Sequence, residues 1–84
     1  MNNTDDGNPN ETDIAIARKI ENAMIVKGVN QRWLAAETGI SYPTLRRSLK
    51  YGRSFTFNEF GRISQVLGID PAAMLPESLT RSAA

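Results

Sequence analysis

The 84-residue chain contains no cysteine and no histidine. Without cysteine there are no disulfides and no thiolate metal sites, and without histidine the commonest zinc ligand and general base are missing too. The carboxylates that remain are scattered, and no two of them suggest an acid and a base sharing a pocket. An enzyme is therefore not expected, nor is a cofactor, a metal or a small-molecule ligand. No apolar run approaches the roughly 18 residues of a membrane span, and Met1 to Asn10 is polar and acidic, unlike a signal or transit peptide. The expectation is a cytoplasmic protein with no membrane partner. Alternating strand patterns are absent as well, which points to an all-helical fold.

Apolar residues make up 40% of the chain and charged residues 23%, ordinary values that predict a folded middle. The length suits one core and no second domain. Both ends have little to bury, so the expected division is an acidic, disordered tail over 1–11, a folded domain over 12–76 and a flexible tail over 77–84. The formal net charge of +1 conceals an uneven distribution. Residues 1–13 hold Asp5, Asp6, Glu11 and Asp13 with no basic residue, whereas residues 41–54 hold Arg46, Arg47, Lys50 and Arg53 with no acidic one. Such a run is either a solvated helix face or an electrostatic footprint for an anionic partner.

Start and stop signals divide the middle into five short helices. The first has Thr12 as its expected N-cap, carries Ile16, Ile20, Ala23, Met24 and Lys27 at helical spacing, and stops at Gly28. Asn30 caps a second helix over Gln31 to Thr38, with Val29 and Leu34 as a hydrophobic staple and Gly39 as its stop. The third runs to about Lys50, with Pro43 in its first turn and either Ser41 or Tyr42 as cap. Its core-facing residues are Leu45 and Leu49, four apart, which leaves Tyr42, Thr44, Arg46, Arg47 and Lys50 for solvent or a ligand. Thr56 and Glu59 form a capping box for the fourth helix, with Phe55 and Phe60 as its staple, Phe60, Ile63 and Leu67 as its buried stripe, and Gly68 as its stop. Gly61 inside it costs about 1 kcal/mol against alanine unless another backbone packs closely there. Asp70 and Pro71 open a last short helix through Leu75, followed by Pro76. Trp33 and the set Phe55, Phe57 and Phe60 are expected to be packing residues rather than stacking platforms for bases.

Two short helices joined by three residues, with glycine at the bend, form a helix-turn-helix, whose second helix enters the DNA major groove. Ala35 is small enough for a close crossing, Gly39 makes the turn, and Leu34, Ile40, Leu45 and Leu49 fill the joint. The stretch NQRWLAAETGISYPTLRRSLKYG resembles the helix-turn-helix of Cro and phage-repressor proteins, the Xre family. Gln31, Leu34-Ala35, Thr38 to Ser41 and Leu45 carry the match, and FNEFGRISQVLGIDPAAML is similar to that family's fourth and fifth helices. The resemblance covers roughly 12–76 and implies a lambda-repressor-like, all-α domain. Two departures leave the end of the third helix open: Ser48 stands where the family often has an apolar residue, and Gly52 falls later than the usual glycine.

The function implied is a sequence-specific, double-stranded DNA-binding transcriptional regulator, a Cro-like repressor of phage or prophage type acting on DNA in a bacterial cell. Tyr42, Pro43, Arg46 and Arg47 are the expected base readers. Arg46 comes first, because a guanidinium grips guanine O6 and N7 with two hydrogen bonds, while Tyr42 and Pro43 suit a thymine methyl. Gln31, Arg32, Ser41, Thr44, Lys50, Arg53 and Ser54 are expected at phosphates. The chain has no room for a separate dimerisation domain, so two copies are expected on a two-fold symmetric operator, paired beforehand or only on DNA. Ala73, Met74, Leu75 and Leu79 either supply that contact or, for Met74 and Leu75, close the monomer core. The competing reading is a protein-interaction module, such as an antitoxin or adaptor, presenting the same helical surface.

Overall fold

A computed structural model describes residues 11–75, and among them the secondary structure is entirely helical. The expected tails, apart from Glu11, lie outside the described residues, as do Pro76 and Leu79. Five helices follow one another: α1 (Glu11–Lys27), α2 (Gln31–Thr38), α3 (Tyr42–Leu49), α4 (Phe57–Leu67) and α5 (Pro71–Met74). Glu11 and Asp13 occupy the first turn of α1 and Lys27 the last, each favourably placed against the helix dipole. Thr12 is consequently inside the first turn rather than its cap, and Glu11 belongs to the helix rather than to a tail.

The core is one cluster to which every helix contributes. Ala17, Ile20 and Met24 come from α1, Leu34 and Ala35 from α2, Leu45 and Leu49 from α3, Phe60, Ile63 and Leu67 from α4, and Met74 from α5. Ile40, in the turn between α2 and α3, completes it. Within this cluster α2 packs on both α3 and α4, and α1 lies across α3, α4 and α5. Trp33, Tyr51, Phe55 and Leu75 lean on it from the rim. Phe57 departs from expectation: it is 92% exposed, because the first position of α4 points away from the stripe that Phe60, Ile63 and Leu67 bury. Met74 is buried in the core and Leu75 packs half-buried against it; of the expected dimer surface, Ala73 is the one exposed position among the described residues.

The local signals explain most element ends. Asn30 Oδ1 accepts from the Trp33 N–H at 2.8 Å, and Gly39 at φ 77° closes α2 by donating its N–H to the Ala35 carbonyl. Ser41, not Tyr42, caps α3, so Pro43 falls at the second helical position, where its missing N–H is still harmless. Thr56 and Glu59 form the reciprocal capping box of α4. Asp70 caps α5, which stops at Met74, one residue short of the expected Leu75.

The end of α3 is built differently. Its last helical residue is Leu49, Lys50 is the cap, and the left-handed position falls to Tyr51 at φ 69° rather than to a glycine. Tyr51 donates its N–H to the Ser48 carbonyl at 3.1 Å and Gly52 to the Arg47 carbonyl at 2.7 Å, the paired bonds of a Schellman ending. Gly52 approaches its neighbour closely: a Cβ there would stand 3.3 Å from the Arg47 oxygen, so the backbone would have to give by a few tenths of an ångström.

Candidate nucleic-acid interface

The exposed side of α3 follows from its spacing. Leu45, Ser48 and Leu49 face inward and are buried, which turns Tyr42, Arg46 and Lys50, each four residues on, into a ridge along the outer face. Pro43 and Arg47 form a second exposed row beside it. Tyr42 is half-buried and anchors the ridge on α2: the Arg32 guanidinium lies 4.4 Å from its ring centre, a cation–π contact joining the N-termini of the two helices.

An open furrow runs along each side of this ridge. One, of about 440 Å³, is lined by Tyr42, Pro43, Arg46, Arg47, Lys50 and Gly52, and its wall is predominantly carbon. The other, of about 450 Å³, is lined by Asn30, Gln31, Arg32, Tyr42, Arg46 and Lys50, and its wall is predominantly polar. No acidic residue lines either furrow. Glu21 of α1 stands in the next hollow, beyond Asn30 and Gln31. Arg32, Arg46, Arg47 and Lys50 are exposed and carry no ion pair among the described residues.

Seven of the eleven residues expected to touch DNA line these furrows: the base-reading set Tyr42, Pro43, Arg46 and Arg47 with Gln31, Arg32 and Lys50. Ser41 is exposed beside them at the helix cap. Thr44 is adjoining but half-buried; it receives the Ser41 hydroxyl proton at 2.8 Å and gives its own N–H to Ser41 Oγ at 3.3 Å, so both side chains serve the cap. Arg53 and Ser54 do something else. The Arg53 guanidinium donates to Ser48 Oγ at 2.8 Å and to Glu59 Oε1 at 3.1 Å, in a part-buried ion pair that fastens the end of α3 to the start of α4. Ser54 donates its hydroxyl to Asp13 Oδ2 at 2.8 Å, tying the α3–α4 loop to α1. Both were expected at phosphates because they extend a basic, polar run; in the folded chain Arg53 pairs with Glu59, six residues on, and Ser54 with Asp13, 41 residues back.

Ser48 is thereby explained. It sits in an apolar position yet is satisfied by Arg53, as a buried hydroxyl must be. Burial alone would raise the pKa of the Glu59 carboxyl. The hydrogen bond from the Thr56 N–H, the hydrogen bond and charge of Arg53, and the Thr56 hydroxyl outweigh it and hold the group below its ordinary value. One supporting residue had no signal in the local pattern: Arg62 of α4 donates to the Thr38 carbonyl at 2.8 Å, satisfying the C-terminus of α2 across 24 positions. The Thr38 hydroxyl donates in turn to the Leu34 carbonyl at 2.8 Å.

The fold and the surface together define an all-helical domain in which a two-helix unit, pinned at both ends, displays an acid-free cationic helix face. Compared with known proteins, the chain matches no family model, no curated protein and no solved structure. The likeness to the Xre family rests on the motif residues themselves.

Proposed function

We propose that the chain is a sequence-specific, double-stranded DNA-binding regulator of transcription, a Cro-like repressor that lays α3 in the major groove of a two-fold symmetric operator. The supporting observation is the ridge on which the exposed cations Arg46 and Lys50 follow the half-buried Tyr42, with no acidic residue lining the furrows beside it, on a short helix whose opposite face is locked into the core. A rigid helix of this kind fits the groove, and cations on both sides of it meet the flanking phosphates. Arg46, midway along the ridge, is the base reader; Arg32 and Lys50, toward its two ends, are phosphate contacts, and Gln31 approaches the backbone at the N-terminus of α2.

Selection of bound duplexes from a random pool tests this directly, because it yields the site, its symmetry and its half-site spacing together. With the selected operator in hand, Arg46→Ala should reduce the preference for operator over random DNA by one to two orders of magnitude, the ~1–3 kcal/mol of a bidentate guanine contact. An unchanged preference would remove Arg46 from that role.

One observation favours a protein-interaction module, such as an antitoxin or adaptor: Ile25, Val26 and Phe57 are large apolar side chains more than two-thirds exposed, and none lines the ridge. Apolar association through them would survive high salt, whereas duplex binding through the ridge would not.

A further inference from the structure

The two furrows differ in character although they share Tyr42, Arg46 and Lys50. The polar one borders the N-terminus of α2 and suits phosphate oxygens. The other calls for a different occupant. Its wall is predominantly carbon although three of its six residues are Arg46, Arg47 and Lys50, the pattern expected where long basic side chains lay their methylenes along a surface and send their charged ends to solvent. Gly52, close to the Arg47 carbonyl, adds no side chain. A carbon-lined trough rimmed by three cations, with no carboxylate, fits an anionic partner that presents one apolar group among charges. On the major-groove edges of the unmodified bases only one such group exists, the C5 methyl of thymine, and methylation of cytosine places the same group at the same position.

Resting on the duplex-binding reading above, we infer that the furrow between Tyr42, Pro43 and Arg47 reads the C5 methyl of a pyrimidine. Thymine and 5-methylcytosine are then favoured at one position in each half-site, while uracil and unmodified cytosine are penalised. Binding at that position becomes responsive to cytosine methylation, with methylation strengthening rather than blocking it. The group sits one row aside from Arg46, so the polar and apolar parts of recognition fall on opposite slopes of one ridge.

The test takes the full chain and the duplex selected from a random pool, and measures dissociation constants by fluorescence anisotropy. Replacing thymines with uracil one at a time should weaken binding about fourfold at one position per half-site, the loss of one buried methyl group. Changing that pair to cytosine–guanine should weaken binding, and C5 methylation of that cytosine should recover about fourfold. In Pro43→Ala, which removes part of the wall, both ratios should fall toward one. If every uracil duplex binds as tightly as its thymine parent, methyl reading is wrong while duplex binding stands. Undiminished ratios in Pro43→Ala would place the methyl contact outside this furrow. Failure to select any duplex would overturn both readings.

Discussion

Arg53 and Lys50 look alike in the sequence, two cations three residues apart in an acid-free run, yet they occupy unlike surroundings. Lys50 is exposed on the ridge, whereas Arg53 is held by Ser48 and Glu59. The two should therefore respond differently to substitution. Arg53→Ala should lower folding stability by about 1–2 kcal/mol, since it leaves the buried Ser48 hydroxyl without its donor and the Glu59 carboxylate with only the Thr56 N–H. Lys50→Ala should leave stability nearly unchanged and weaken operator and random DNA alike. Urea denaturation and anisotropy on both variants check this. Glu59 adds a pH dependence whose sign follows from its lowered pKa. Its stabilisation is complete above the unfolded carboxyl value of about 4.3 and is lost as pH falls through the lower folded value. Glu59→Gln retains a side-chain acceptor for the cap but cannot ionise. Its stability deficit relative to the parent, measured by urea denaturation, should shrink from pH 7 to pH 3; an equal deficit at both would show that the Arg53–Glu59 charge pair contributes nothing.

Among the elements, α4 allows the clearest test of intrinsic preference. Gly61 lies in its interior, exposed, and an added Cβ would meet nothing within 4 Å. No close backbone approach requires the glycine, so Gly61→Ala should stabilise the domain by about 1 kcal/mol, seen as a rise in Tm of several degrees. Caps and stops written in adjacent residues were readable in advance: Asn30, Gly39, Thr56 with Glu59, Gly68 and Asp70 all act where their residue types predict. The end of α3 was not, because a tyrosine takes the left-handed position normally reserved for glycine. That conformation costs of order 1–2 kcal/mol for a residue with a side chain. The packing of the Tyr51 ring against the core offsets the cost, and such packing has no signature in the local sequence. The same limit applies to Arg53, Ser54 and Arg62, whose partners lie 6, 41 and 24 residues away. The exposed face of α3 was legible through the four-residue spacing of Leu45 and Leu49, which leaves Tyr42, Arg46, Arg47 and Lys50 outward. The candidate site was not legible where tertiary contacts withdraw residues from it.

At the scale of the molecule, burial of Met74 and half-burial of Leu75 leave the end of α5 little apolar surface for a dimer. Unless Ile25, Val26 or Phe57 supplies a contact, two copies should assemble on DNA rather than before it, with the α3 helices about one helical turn, ~34 Å, apart. Analytical ultracentrifugation should give a monomer alone and a two-to-one complex with operator; a stable free dimer would require a different contact surface. The central claim, that the α3 ridge binds duplex DNA electrostatically and by sequence, predicts how affinity falls with salt. Four exposed cations on and beside α3, Arg32, Arg46, Arg47 and Lys50, carry no ion pair among the described residues, whereas Arg53 is paired with Glu59. The most direct measurement is an anisotropy titration of the selected operator across a salt series, for the parent chain and Lys50→Ala. The log of affinity against the log of salt should have a slope of about −2 or steeper per bound copy from the phosphate contacts Arg32 and Lys50, made shallower by about one in Lys50→Ala. Salt-insensitive binding, or the same slope in both proteins, would contradict it.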